Sequence, residues 1–174
     1  MPIDIRNFDV LEWLNNFFGE EVRDLNYDQL RPVLSFALIW NFFESKACNR
    51  RASLKSVKKS VDEADSRDYL TPEKYRLYVD YFRDRYLEER GLEFALDQLI
   101  LTDVDSRRIV TQVLTNERTD LNNVVYALLV IALRIRNNLF HGNKEIDVLP
   151  RQTELFSVVN NLLADYVEDI THHR

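Results

Sequence analysis

Apolar residues at positions 10, 11, 13, 14, 17 and 18 recur at helical spacing, and Gly19 closes the run. A second apolar stretch lies within YDQLRPVLSFALIWNFFESKAC, with a helix start near Asp28 and Pro32 close to its first turn. Its middle, Val33 to Phe43, is almost entirely apolar, which predicts a central helix packed on most sides. Ser53 then stands where it would cap a short helix. Thr71-Pro72 reads as cap and first helical position of a helix running to about Arg90, with Gly91 as its stop. Tyr75, Leu77, Tyr78, Tyr81, Phe82, Tyr86 and Leu87 form a broad aromatic stripe on it, of the kind that packs in cores or dimer contacts. Leu92 to Leu101 continues as a short helix or an extended piece, and Ser106 to Leu114 as a short amphipathic helix. Asp120 or Thr119 caps the most apolar helix, NNVVYALLVIAL, which runs on into RIRNNLFHG and stops at Gly142. Pro150 opens a last helix, apolar at 155, 158, 159, 162, 163 and 166 on one face.

Composition sharpens this pattern. Only 3 Gly and 4 Pro punctuate the 174 residues, which argues against a fold of many tight turns and for long helices joined by short loops. The expected fold is all-α: a single domain over residues 1–174, a bundle with 46–70 as a basic-then-acidic insertion between core helices. The net charge of -6 provides no global field for nucleic acid, yet leaves room for an enzyme with a small local basic site. Cys48 is the one cysteine, so no internal disulfide forms and a reducing cytoplasm is the natural compartment. The N-terminal MPIDIRNFDVLEWL lacks a basic segment followed by a continuous apolar one. The run Val124 to Leu133 is too short to span a bilayer, so no membrane partner is expected.

Two places carry candidate chemistry. From Lys46 to Lys59 the chain is basic, and Arg50, Arg51, Lys55, Lys58 and Lys59 make either a solvated helix face or a rim that contacts RNA phosphates. The second place is the end of the apolar helix, where Arg136 shares a side with core residues. With Arg136 at 0°, Leu129 falls at about 20°, Phe140 at about 40°, Asn137 at about 100° and His141 at about 140°. A guanidinium on such a face needs an anion, either a protein carboxylate or a ligand phosphate. Glu44, directly after IWNFF, is the candidate carboxylate, placed to hold Arg136 if the two apolar helices lie side by side. Arginine donors match phosphate oxygens, and a neutral imidazole can take the proton of a ribose 2′-hydroxyl. The bland alternative is a helix cap, with His141 offsetting the dipole and Arg136 paired to Glu44. No glycine-rich phosphate loop and no zinc-spaced Cys/His cluster is present, so neither a metal nor another cofactor is expected.

Arg136-Asn137-Asn138-Leu139-Phe140-His141 resembles the R-N-x-x-x-H form of the R-x(4–6)-H signature of HEPN domains, the higher eukaryotes and prokaryotes nucleotide-binding superfamily. The Gly142 that follows and the apolar helix that precedes are similar to that pattern, and Phe36 to Ala47 resembles the family's earlier core helix. The resemblance covers about a quarter of the chain. It implies an all-α bundle of four or five principal helices plus short extra ones, usually a homodimer. It also implies a metal-independent endoribonuclease of the toxin–antitoxin or phage-defence kind, with an antitoxin or defence-system partner protein. In that reading Arg136 polarises the scissile phosphate, His141 is the acid/base, and Asn137 orients the pair, with both copies lining one cleft. Other relatives only bind nucleotides or partners, which makes a non-catalytic binding module the alternative. Relatives that are silenced by nucleotidylation carry a tyrosine two positions after the histidine, where this chain has Asn143.

Overall fold

The computed structural model describes residues 8–22, 25–88, 91–140 and 152–171. They are helical throughout apart from turns: α1 (Val10–Phe18), a 3-10 turn (Gly19–Val22), α2 (Tyr27–Ala47), α3 (Leu54–Ser66), α4 (Pro72–Glu88), α5 (Leu92–Gln98), α6 (Val104–Leu114), α7 (Leu121–Phe140) and α8 (Thr153–Thr171). The protein is an all-α bundle. Four helices are long, and local chemistry sets their ends. Asp9 caps α1 through Leu11 and Glu12, and Gly19 ends it at φ 59°, a left-handed conformation that glycine adopts freely. Asn26 and Gln29 form a reciprocal capping box on α2, and Ser53 and Ser56 form one on α3. Asp120 caps α7 by accepting from Asn123 N at 3.2 Å. The stops expected at Gly142 and the start at Pro150 lie outside the described residues.

α7 is the hub. Every residue from Val125 to Leu133 is buried, because α3, α4, α6 and α8 all pack on it. α7 alone among the described helices has the length and composition to cross a membrane, and 61% of that stretch is buried inside the bundle, as in a core helix. α8 pairs chiefly with α2: Phe36 meets Phe156 at 5.4 Å between ring centroids and Phe43 meets Tyr166 at 6.0 Å. Asn160 Nδ2 also donates to the Pro32 carbonyl at 2.9 Å.

Three sequence expectations change here. α2 is peripheral: Phe36, Trp40 and Phe43 are buried, while Leu34, Leu38 and Phe42 face outward. An apolar run does not say how many of its sides are covered, and α2 has one. The 46–70 segment contributes α3 to the main core, with Val57 and Val61 fully buried. On α4 the aromatic stripe splits: Tyr75, Phe82 and Tyr86 are core, and Leu77 is 72% exposed. A carboxylate from α8 fixes the start of α4. Asp169, 4% exposed, accepts from Thr71 N at 3.1 Å, Lys74 Nζ at 2.7 Å and Tyr75 Oη at 2.8 Å.

Candidate functional site: the C-terminal end of the buried helix

The last turns of α7 present two opposite faces. Arg134 and Asn138 are one turn apart and point to α5. Arg134 Nε donates to Leu99 O at 2.9 Å and its Nη2 donates to Ile100 O; Asn138 Nδ2 donates to Gln98 O at 3.0 Å. Ile100 sits at φ 53°, so this turn holds its carbonyls in an uncommon backbone conformation and the two side chains clamp it. Burial pulls the pKa of Arg134 below the ordinary arginine value, yet the group stays charged.

Arg136 and Phe140 lie on the other face, toward α2. The Arg136 guanidinium stands 5.7 Å from the Trp40 ring centroid and 5.4 Å from that of Phe140. Its Nη1 donates to Asn137 Oδ1 at 3.2 Å. No carboxylate among the described residues pairs with it, and Arg136 Nε and the buried Trp40 Nε1 have no acceptor there. Two aromatic contacts at about 0.5–2 kcal/mol each replace an ion pair. The guanidinium is half-buried and held, with most of its donors uncommitted.

Glu44 does not supply the expected partner. Its Oε1 accepts from Ala52 N at 3.0 Å, and its backbone carbonyl accepts from Cys48 N at 3.2 Å and Arg50 N at 2.8 Å. The reason is the packing: α2 lies chiefly against α8, so Trp40 reaches Arg136 while Glu44 turns to its own loop. Glu44 therefore builds the α2–α3 turn, where Asn49 and Arg50 take positive φ of 53° and 67°. A carboxylate in the last turn of a helix opposes the dipole, and that misplacement was the available signal of a local bond.

The basic segment divides. Lys58 pairs with Asp62 and donates to Asn122 Oδ1 at 2.9 Å, and Lys59 reaches Glu63 at 3.6 Å. Arg50, Arg51 and Lys55 are exposed and have no ion pair among the described residues. Lys55 is in the first turn of α3, and Arg50 and Arg51 are in the α2–α3 turn. Cys48 is buried beneath this turn, and burial pushes its thiol up to about 11, which removes it as a nucleophile.

His141 lies outside the described residues. Of the expected constellation, then, α7 brings Arg136 and Asn137 into direct contact, adds Trp40 and Phe140, and leaves Glu44 out. Trp40 was visible as part of an apolar run, but nothing in its spacing linked it to Arg136. No cluster of His, Cys, Asp and Glu suited to a metal ion occurs among the described residues.

The class that fold and site define is an all-α bundle with an aromatic-cradled arginine, without an ion pair among the described residues, at the end of its core helix. Comparison with protein-family models, curated proteins and solved structures finds no match for the chain.

Proposed function

We propose that this protein is a metal-independent endoribonuclease whose site is shared by two copies of the chain. The observation that carries the reading is the Arg136 guanidinium, held between Trp40 and Phe140 with no carboxylate of the described residues on it. An arginine already satisfied by Glu44 would be a structural pin. One that keeps its donors uncommitted is suited to an incoming phosphate. The R-N-x-x-x-H resemblance adds His141 five residues on.

In this reaction His141 takes the proton of a ribose 2′-hydroxyl. The 2′-oxygen bonds to phosphorus and the bond from phosphorus to the 5′-oxygen breaks. The departing 5′-oxygen takes up a proton, leaving a 2′,3′-cyclic phosphate and a 5′-hydroxyl. Arg136 neutralises charge that builds on the phosphoryl oxygens, and Asn137 holds its orientation through the Nη1 contact. Arg50, Arg51 and Lys55 offer further phosphate contacts along the strand. Such an enzyme belongs in a cytoplasm beside a restraining partner, as in toxin–antitoxin or phage-defence systems.

The test is RNA cleavage by purified protein in EDTA, with analysis of the ends. Wild type should yield cyclic phosphates, and His141→Ala and Arg136→Ala should each lower the rate by at least about 100-fold. Cleavage that survives His141→Ala sinks the acid/base assignment. Nucleotide binding without breakage over many RNAs would favour the non-catalytic binding module.

A further inference from the structure

One face of α4 and the turn from α6 into α7 enclose a cleft of about 440 Å³, a size usual for small-molecule sites. Val124 lines it near the start of α7, and Arg136 lies roughly 18 Å further along that helix, so the two places are separate. The floor of the cleft is aliphatic. Val79 and Val113 are buried there, and Leu121 and Val124 are half-buried. No aromatic ring among the described residues lines it.

The rim is basic. Arg76, Arg83 and Arg118 line it against one carboxylate, Asp80, in a chain whose net charge is -6. Arg83 is fixed in place: its Nε donates to Leu114 O at 3.0 Å and its Nη1 donates to Asp80 Oδ1 at 2.9 Å. Side chains on a helix lean toward its N-terminus, and this bond draws the Arg83 guanidinium back toward the turn that carries Arg76. Arg118 comes from the other wall. Its backbone N–H donates to Gln112 O at 3.0 Å, in a turn where Asn116 takes φ 62°. Neither exposed Arg76 nor half-buried Arg118 has an ion pair or a side-chain hydrogen bond among the described residues. The carboxylates beside Arg118 are engaged elsewhere. Glu117 accepts from Thr115 Oγ1 at 3.0 Å, and Asp120 accepts from Asn123 Nδ2 at 2.6 Å. The cleft therefore holds positive charge that its own lining does not neutralise.

That lining selects a ligand. Guanidiniums from two walls can each meet a different oxygen of a tetrahedral phosphate, whereas a carboxylate has only two oxygens to share. The charge left over after Asp80 matches a phosphate monoester, which carries about -1.5 to -2 at neutral pH. A nucleobase would call for an aromatic platform, which this cleft lacks. The valines and Leu121 suit an aliphatic chain instead. We propose that the cleft binds a small phosphate monoester with an aliphatic body, its head among the three arginines and its chain on the aliphatic floor. This site goes beyond the RNA-cleavage reading and does not depend on it.

Calorimetric titration of the intact chain with hexyl phosphate, in the absence of RNA, tests the proposal. Hexyl phosphate should bind at least about 10-fold tighter than either inorganic phosphate or hexanoate. Arg76→Gln and Arg118→Gln should each weaken it by about 5-fold or more, with an unchanged helical circular dichroism spectrum. Leu121→Ala should weaken hexyl phosphate by about 3-fold or more and leave inorganic phosphate within about twofold. Hexyl phosphate that binds no tighter than inorganic phosphate overturns the proposal, as does binding indifferent to both glutamine variants. Adenosine monophosphate that binds tighter than hexyl phosphate, or a short single-stranded RNA that displaces it, assigns the cleft to nucleotides and overturns it equally. Hexyl phosphate bound by a protein that cleaves no RNA upholds this site and removes the nuclease reading alone.

Discussion

Arg134 and Arg136 are two residues apart on α7, about 200° around the helix, and their side chains meet different chemistry. Removing Arg134 strands the carbonyls of Leu99 and Ile100 that it now satisfies. Arg134→Ala should therefore cost about 1–3 kcal/mol of stability. Arg136→Ala strands no carboxylate among the described residues and gives up two ring contacts and the half-exposed Asn137 hydrogen bond, so its cost should stay at about 1 kcal/mol. Chemical denaturation of the two variants checks this. A larger loss at Arg136 than at Arg134 would show that Arg136 is the structural pin. The sequence carries both arginines with equal weight. Which of them is committed depends on whether a carbonyl or a ring lies opposite, and that depends on where α5 and α2 arrive.

At the scale of elements, α4 and α8 are joined by two polar links, the Tyr78 hydroxyl on Asp165 and a larger node at Asp169. Asp169 satisfies the Thr71 backbone N–H, the Lys74 ammonium and the Tyr75 hydroxyl. The hydrogen bond from Lys74 to Asp169 holds the Lys74 ammonium above its usual pKa. A raised ammonium contributes stability that is complete below its unfolded value, roughly 10.4. That contribution is lost as pH climbs through the higher folded value. The stability gap between wild type and Lys74→Met should thus be constant through neutral pH and close above about pH 10.4. Urea unfolding midpoints measured across that range test it; a gap that stays open well above that range would deny the pairing. Thr71-Pro72 announced the start of α4 correctly, but a partner 98 residues away in the chain lies beyond any local signal.

The whole molecule has two apolar clusters of unequal size. The main one gathers α2 to α8, whereas Leu14, Val22, Leu25 and Leu30 form a small one under α1. Four buried residues hold far less apolar area than the main core, so this part should open more readily. Amides of α1 should exchange with deuterium much faster than those of α7 between Val125 and Leu133, which should be the slowest in the chain. Equal protection in the two helices would mean that α1 is fastened to the main core.

Hydrophobic period, caps and the scarcity of glycine and proline determined the all-α class, the order of helices and most of their starts, because these depend on residues within a few positions of one another. They also marked Arg136 and Asn137 as polar groups on a buried helix. Tertiary packing alone decided that Trp40 and Phe140 flank that arginine, that Glu44 turns to the α2–α3 loop, and that α2 lies at the edge with Leu34, Leu38 and Phe42 uncovered. A residue's own helix fixes the direction of its side chain; only the arrival of distant helices fixes what that side chain meets.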